Sequence, residues 1–168
     1  VHQAGSPGLS SVQAREILLS VWTSVTKQDV VERVVMQFTM AIFRAESGYG
    51  TWPKGSAMEF SHNWGAHQCP RIGKDCSPEA QKGLRCALHS DTKDGTDKTR
   101  FPQCFRVFDS HEAGAADGLK LLFLDRKSLR GAMLTGDALL VSHVMKKTSY
   151  YSKDLTTRYY AYGLYTNA

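Results

Sequence analysis

The sequence predicts an α+β fold, mostly helical with a small β lobe, and three observations lead there. Apolar residues recur at helical spacing between Ser10 and Glu46 and again after Asp109. Residues 47–104 instead hold four of the five prolines and all four cysteines, with little apolar periodicity. A length of 168 residues suits one domain, 1–168, built around one core of ordinary size. Helices at both ends around a loop-and-hairpin insert describe two lobes with a cleft between them.

The first helix opens at Ser10, with Gln13 three residues on as its capping-box partner. Ala14, Ile17, Leu18, Val21, Trp22 and Val25 then fall on one face. Residues 1–9 are expected to be flexible. Asp29 and Glu32 signal a second start, and Val31, Val34, Val35, Phe38, Ile42 and Ala45 continue helically. So many β-branched residues would suit a strand, but the period and the length favour a helix that runs to Gly48 as its cap.

Residues 66–104 form the expected cysteine-bearing lobe. Arg85–Leu88 and Arg100–Phe105 read as a hairpin with Asp94-Gly95 at the turn. Asp109 or Ser110 caps the next helix, whose expected buried residues are Ala113, Ala116, Leu119, Leu122 and Phe123. Shorter helices are expected over 126–134, 137–147 and 154–165.

Composition narrows the function classes. Hydrophobic residues make up 42% and charged residues 22%, which is globular rather than disordered. No apolar run reaches the roughly 18 residues of a membrane span, so no membrane insertion is expected. The formal charge of +5 suits a polyanionic partner, but the basic residues form no stripe with interleaved aromatics, which argues against nucleic acid. No phosphate loop, dinucleotide fingerprint, serine-nucleophile elbow or His-Glu-x-x-His metal motif is present. No cofactor and no metal are expected. The first residues carry no legible export signal.

Cys69, Cys76, Cys86 and Cys104 allow three disulfide connectivities. Closure of local loops favours Cys69–Cys76 and Cys86–Cys104. Zinc is the lesser reading: His67 and His89 lie nearby, but the cysteine spacings lack the short pairs that zinc sites use. Disulfides imply an oxidising location, either secreted, periplasmic or associated with a cell wall.

Glu46 is the sharpest candidate for chemistry. It ends an apolar helix, where the negative end of the helix dipole and the loss of solvent both favour the protonated carboxyl. A carboxyl kept protonated is what a glycosidase uses on its leaving oxygen. The alternative is an exposed glutamate at a fraying helix end.

The motifs around Glu46 carry a resemblance. Phe43-Arg44-Ala45-Glu46-Ser47-Gly48-Tyr49-Gly50 is followed by Ser61-His62-Asn63-Trp64-Gly65-Ala66, then Phe105-Arg106-Val107-Phe108-Asp109-Ser110-His111-Glu112, then Tyr150-Tyr151-Ser152-Lys153-Asp154. Together they resemble the glucosaminidase family of bacterial autolysins and flagellar muramidases, over roughly residues 12–160. The family pattern runs Glu-Ser-Gly-Trp-Gly, then Asn-Leu-Phe-Gly-Ile or Asn-Tyr-Trp-Gly-Ile, and a Phe-Arg-Ala-Tyr-Asp-Ser-x-Glu block.

The resemblance implies a lysozyme-like fold that cleaves the β-1,4 bond after N-acetylglucosamine in peptidoglycan, with Glu46 as general acid. It places Tyr49, Asn63, Trp64 and Gly65 along the glycan cleft, with Trp64 stacking on a sugar ring and Asn63 bonding an N-acetyl group. A core position is the alternative for Trp64. The second acid of the family falls at Asp91, with Asp94 and Asp97 as competitors. If none is placed, the substrate's own N-acetyl group can attack instead. Tyr150 or Tyr151 matches the family's cleft tyrosine, Tyr150 as the catalytic and Tyr151 as the binding residue. Asp109 and Glu112 match family positions but read as helix caps.

Two departures stand out. Cysteines occupy a lobe that usually lacks them, and Tyr49 replaces a tryptophan. They depart from a generic autolysin domain, and the disulfides suggest a phage-derived lysin or an antibacterial effector. The chain is expected to act as a monomer on peptidoglycan glycan strands, with an inhibitor or immunity protein as a further partner. Within the fold the rival activity is that of a lytic transglycosylase or muramidase. Outside it, the rival is a non-catalytic glycan-binding domain.

Overall fold

The computed structural model describes residues 8–51, 58–92 and 100–151. Within them the architecture is α+β: five helices and a two-stranded antiparallel sheet stapled by two disulfides. Helix α1 spans Ser11–Thr26. Its capping box is complete, with Ser10 Oγ accepting from Gln13 N at 3.1 Å and Gln13 Oε1 accepting from Ser10 N at 3.0 Å. Leu9, one position before the cap, packs half-buried against the core, so order begins inside the end expected to be flexible. Residues 1–7 of that end lie outside the described residues. The buried line of α1 is Ala14, Leu18, Trp22 and Thr26, four residues apart each time.

Helix α2, Arg33–Ser47, is the central element. Val35, Met36, Phe38, Thr39, Ala41, Ile42 and Phe43 are all buried, which covers most of its circumference. Thr39 survives there because its hydroxyl bonds back to Val35 O at 2.8 Å. Glu32 stands at the N-cap position of α2 without a side-chain capping bond, and pairs with Arg130 of the later helices.

Strands β1, Cys86–Thr92, and β2, Arg100–Arg106, pair in the register Cys86↔Arg106 and Leu88↔Cys104. Each strand begins or ends within a few residues of its sequence-predicted bound. The expected Asp94-Gly95 turn lies outside the described residues. On its other edge β2 takes up residues 67–69: Cys69 N donates to Cys104 O at 2.8 Å and Arg106 N to His67 O at 3.0 Å.

The disulfides correct the local-loop expectation, for they are Cys69–Cys86 and Cys76–Cys104. The register explains this. Cys86 faces Arg106 while Cys104 faces Leu88, so the strand cysteines do not oppose each other. Each reaches instead into the 69–76 loop lying against the sheet. The bridges therefore interlock, binding one loop to both strands.

Helix α3, His111–Leu119, is capped by Ser110 and runs on through a π-helical turn, Lys120–Leu124. Its buried residues are Gly114, Ala115, Gly118 and Leu119, whereas Ala113, expected inside, is exposed. Helix α4 is Leu129–Leu134, shorter than the 126–134 expected, and α5 is Ala138–Lys147 with Asp137 as its cap. The helix expected over 154–165 lies outside the described residues. One core joins Leu18, Trp22, Phe38, Ile42, Trp64, Leu119, Leu122, Met133 and Met145. Among the described residues no helix is long and apolar enough to cross a membrane.

Candidate functional site

The end of α2 is built to stop sharply and hold its last turn in place. Gly48, Tyr49 and Gly50 follow one another in the left-handed region, at φ 55°, 58° and 76°. At Gly50 no larger residue fits, because a Cβ would stand 2.8 Å from the His62 carbonyl carbon. Ser47 ties this turn to the neighbouring loop: its hydroxyl donates to Trp64 O at 2.8 Å and accepts from Gly50 N at 2.9 Å. Glu46, the residue before it, is half-buried in that last turn.

Loop 61–67 carries three of the predicted binding residues, Asn63, Trp64 and Gly65, and the burial of Trp64, Asn63 and nearby Tyr49 corrects their expected place along a cleft. Trp64 is 0% exposed, packed edge-on to Phe43 and against Tyr49 at ring separations of 5.8 and 5.4 Å. Its indole N–H donates to His111 Nδ1 at 3.1 Å. It offers no face to a sugar and is a core aromatic. Tyr49 is likewise buried. Asn63 spends its amide hydrogens on His67 O at 3.0 Å and Arg106 O at 2.9 Å, and its oxygen accepts from His67 N at 2.8 Å. It braces the loop onto β2 rather than facing a ligand.

Gly65 lies against the end of the chain's helical half. A Cβ there would meet Leu121 Cδ1 at 2.9 Å and the Tyr150 hydroxyl at 3.2 Å. That hydroxyl donates to Gly65 O at 2.9 Å, under an Arg126 guanidinium 4.7 Å from the Tyr150 ring centre. Tyr151 turns the other way and donates to Ser142 O of α5 at 2.6 Å. The structure thus separates the adjacent tyrosines, bringing Tyr150 to the loop that Ser47 also holds. Asp91 sits near the tip of the hairpin at the register position opposite Phe101. Asp94 and Asp97 fall outside the described residues. Ser110 caps α3, and exposed Asp109 pairs with Arg85.

Two clusters escaped the sequence reading. In the first, Asp117 of α3 is 15% exposed and meets His67 Nδ1 at 2.8 Å and Arg106 Nη1 at 3.4 Å. Its only sequence signal is an acid flanked by small residues on an apolar helix. In the second, His62 and His111 pack edge to face at 4.5 Å, and His62 Nδ1 approaches Phe108 O at 2.8 Å. His111 Nδ1 must be unprotonated to accept from Trp64. Burial, with His62 adding repulsion, holds its pKa below the ordinary 6.5, against the weaker pull of Glu112.

The unfolded chain therefore takes up a proton at His111 before the folded one does. The stabilisation is complete above pH 6.5 and is lost as pH falls through the depressed folded value. Urea unfolding followed from pH 7.5 down to 4.5 should show this loss. His111→Asn, which keeps an acceptor for Trp64 without the proton, should flatten it; equal slopes in both proteins would refute the role of His111.

Comparison with protein-family models, with curated proteins and with solved structures returned no match.

Proposed function

We propose that the chain is a lysozyme-like glycosidase that hydrolyses the β-1,4 bond after N-acetylglucosamine in peptidoglycan, with Glu46 as general acid. The observation that carries this reading is the setting of Glu46. Half-buried Glu46 lies in the last turn of a helix buried on most sides, and the next residue fixes that helix end to the Trp64–Gly65 loop. A carboxyl carried on such a fixed helix end suits proton donation to a leaving oxygen. Tyr150, anchored to the same loop, supports the site by position. Asp91 is the resemblance's choice for the second carboxylate.

Two features agree with the setting such an enzyme needs. The interlocked disulfides fit an oxidising compartment, where cell walls are found. The formal charge of +5 favours an anionic polymer. Internal use of Trp64 and Asn63 removes two sugar contacts from the expected cleft, so glycan recognition falls to other residues around the loop.

Mass spectrometry of purified cell walls digested with the protein tests the bond assignment. Reducing N-acetylglucosamine ends are expected. Reducing muramic ends or anhydro-muramic ends would transfer the activity to the muramidase or transglycosylase class, and uncut walls that bind the protein would make it a glycan-binding domain.

A further inference from the structure

The pair His67–Asp117 has the construction of a proton acceptor. An ionised carboxylate only accepts, so the hydrogen in the 2.8 Å contact to Asp117 Oδ2 belongs to His67 Nδ1. A neutral imidazole with Nδ1 protonated presents Nε2 as a lone pair. Arg106, which only donates, comes within 3.5 Å of the same Nδ1 and can form no hydrogen bond there with this tautomer. Its hydrogen goes to Asp117 Oδ1 at 3.4 Å, and its guanidinium rests 5.3 Å from the Phe108 ring centre. Asp117 thus gives its shorter contact to the histidine and the longer one to the arginine, the reverse of what a plain strand-to-helix ion pair would need.

The backbone of His67 is also held. His67 N–H goes to Asn63 Oδ1, and its carbonyl accepts from both Asn63 and Arg106 N. Three elements contribute: the loop, β2 and α3. The side chain of His67 keeps 30% of its surface exposed.

The pair borders the loop that α2 and Tyr150 share. His67 follows three residues after Trp64, whose carbonyl receives Ser47. Asp117 directly precedes Gly118, whose Cα would lie 3.4 Å from a Cβ placed on Gly65. Resting on the glycosidase reading above, we propose that His67 Nε2 is the second proton carrier of this site, in place of Asp91. As Glu46 gives its proton to the glycosidic oxygen and the bond from the anomeric carbon to that oxygen breaks, a water oxygen bonds to the anomeric carbon. The water's proton passes to Nε2, and Asp117, a positioning residue, stabilises the imidazolium through Nδ1–H. The imidazolium then releases its proton to solvent, and solvent returns one to Glu46.

Initial rates on soluble glycan strands released from cell walls test the step, with wild type, His67→Ala, His67→Gln and Asp117→Asn compared. His67→Gln keeps a donor for Asp117 but supplies no base. It is expected to stay folded and lose roughly 10²–10⁴-fold in kcat with KM little changed. Added imidazole should restore part of the activity of His67→Ala, which a purely structural histidine would not permit. Asp117→Asn should lower kcat and remove the Nδ1–H signal from the ¹⁵N spectrum of His67. Wild-type rates in His67→Gln, or a His67→Ala loss that imidazole leaves untouched, overturn the role of His67 alone. A wild type that cuts neither strands nor walls overturns the glycosidase reading and this step with it.

Discussion

Replacing Gly114 with alanine is expected to destabilise the protein by about 3 kcal/mol or more. A Cβ at this position of α3 would stand 1.6 Å from the His62 carbonyl oxygen, 2.8 Å from its carbon and 3.3 Å from Trp64 Cδ1. Relief by movement of His62 is closed off. Its ring is bonded to Phe108 O, Gly50 lies against its backbone on another side, and its φ of 51° is already left-handed. Intrinsic helix propensity works in the opposite direction, favouring alanine over glycine by roughly 1 kcal/mol. A measured loss therefore reports packing and nothing else.

Gly131 in α4 is the control, since a Cβ there meets nothing within 4 Å. Gly131→Ala should be neutral or stabilising by up to about 1 kcal/mol. Urea midpoints of the two variants and the wild type decide the matter. A Gly114→Ala midpoint equal to wild type would mean that α3 does not lie against loop 61–67 as described.

Gly114 also shows where sequence reading stops. Periodicity finds α3 and the buried Leu119, Leu122 and Phe123, but it adds Ala113 and Ala116 to that face and passes over Gly114 and Gly118, because glycine carries no hydropathy signal. The true face is chosen by close approach to a carbonyl 52 residues earlier, between Gly114 and His62. What is local was legible: the Ser10–Gln13 box, the Gly48 cap and both strands of the hairpin. The disulfides were not, since loop closure ranks cysteines by sequence distance while the strand register decides which sulfurs face each other.

The candidate site divides the same way. Glu46 was visible because one helix end is a local signal. Trp64 and Asn63 were misassigned because their residue types suit sugar recognition and core bracing equally, and only tertiary contacts distinguish the two. His67, Arg106 and Asp117 come from three separate elements, so no spacing rule brings them together.

The central claim is that Glu46 donates the proton. Glutamine keeps the size and polarity of the side chain at the end of α2 but has no acidic hydrogen to give. Removing a positioned general acid costs roughly 10²–10⁴ in rate. The ties that hold this turn, from Ser47 to Trp64 and from Gly50 to Ser47, do not pass through the Glu46 side chain, so Glu46→Gln should keep its folded spectrum. The decisive measurement is the rate at which the turbidity of purified cell walls falls under equal amounts of wild type and Glu46→Gln. The wild type should clear the suspension while the folded variant slows by at least about 100-fold; clearing at the same rate by both would contradict the assignment of Glu46 as the acid.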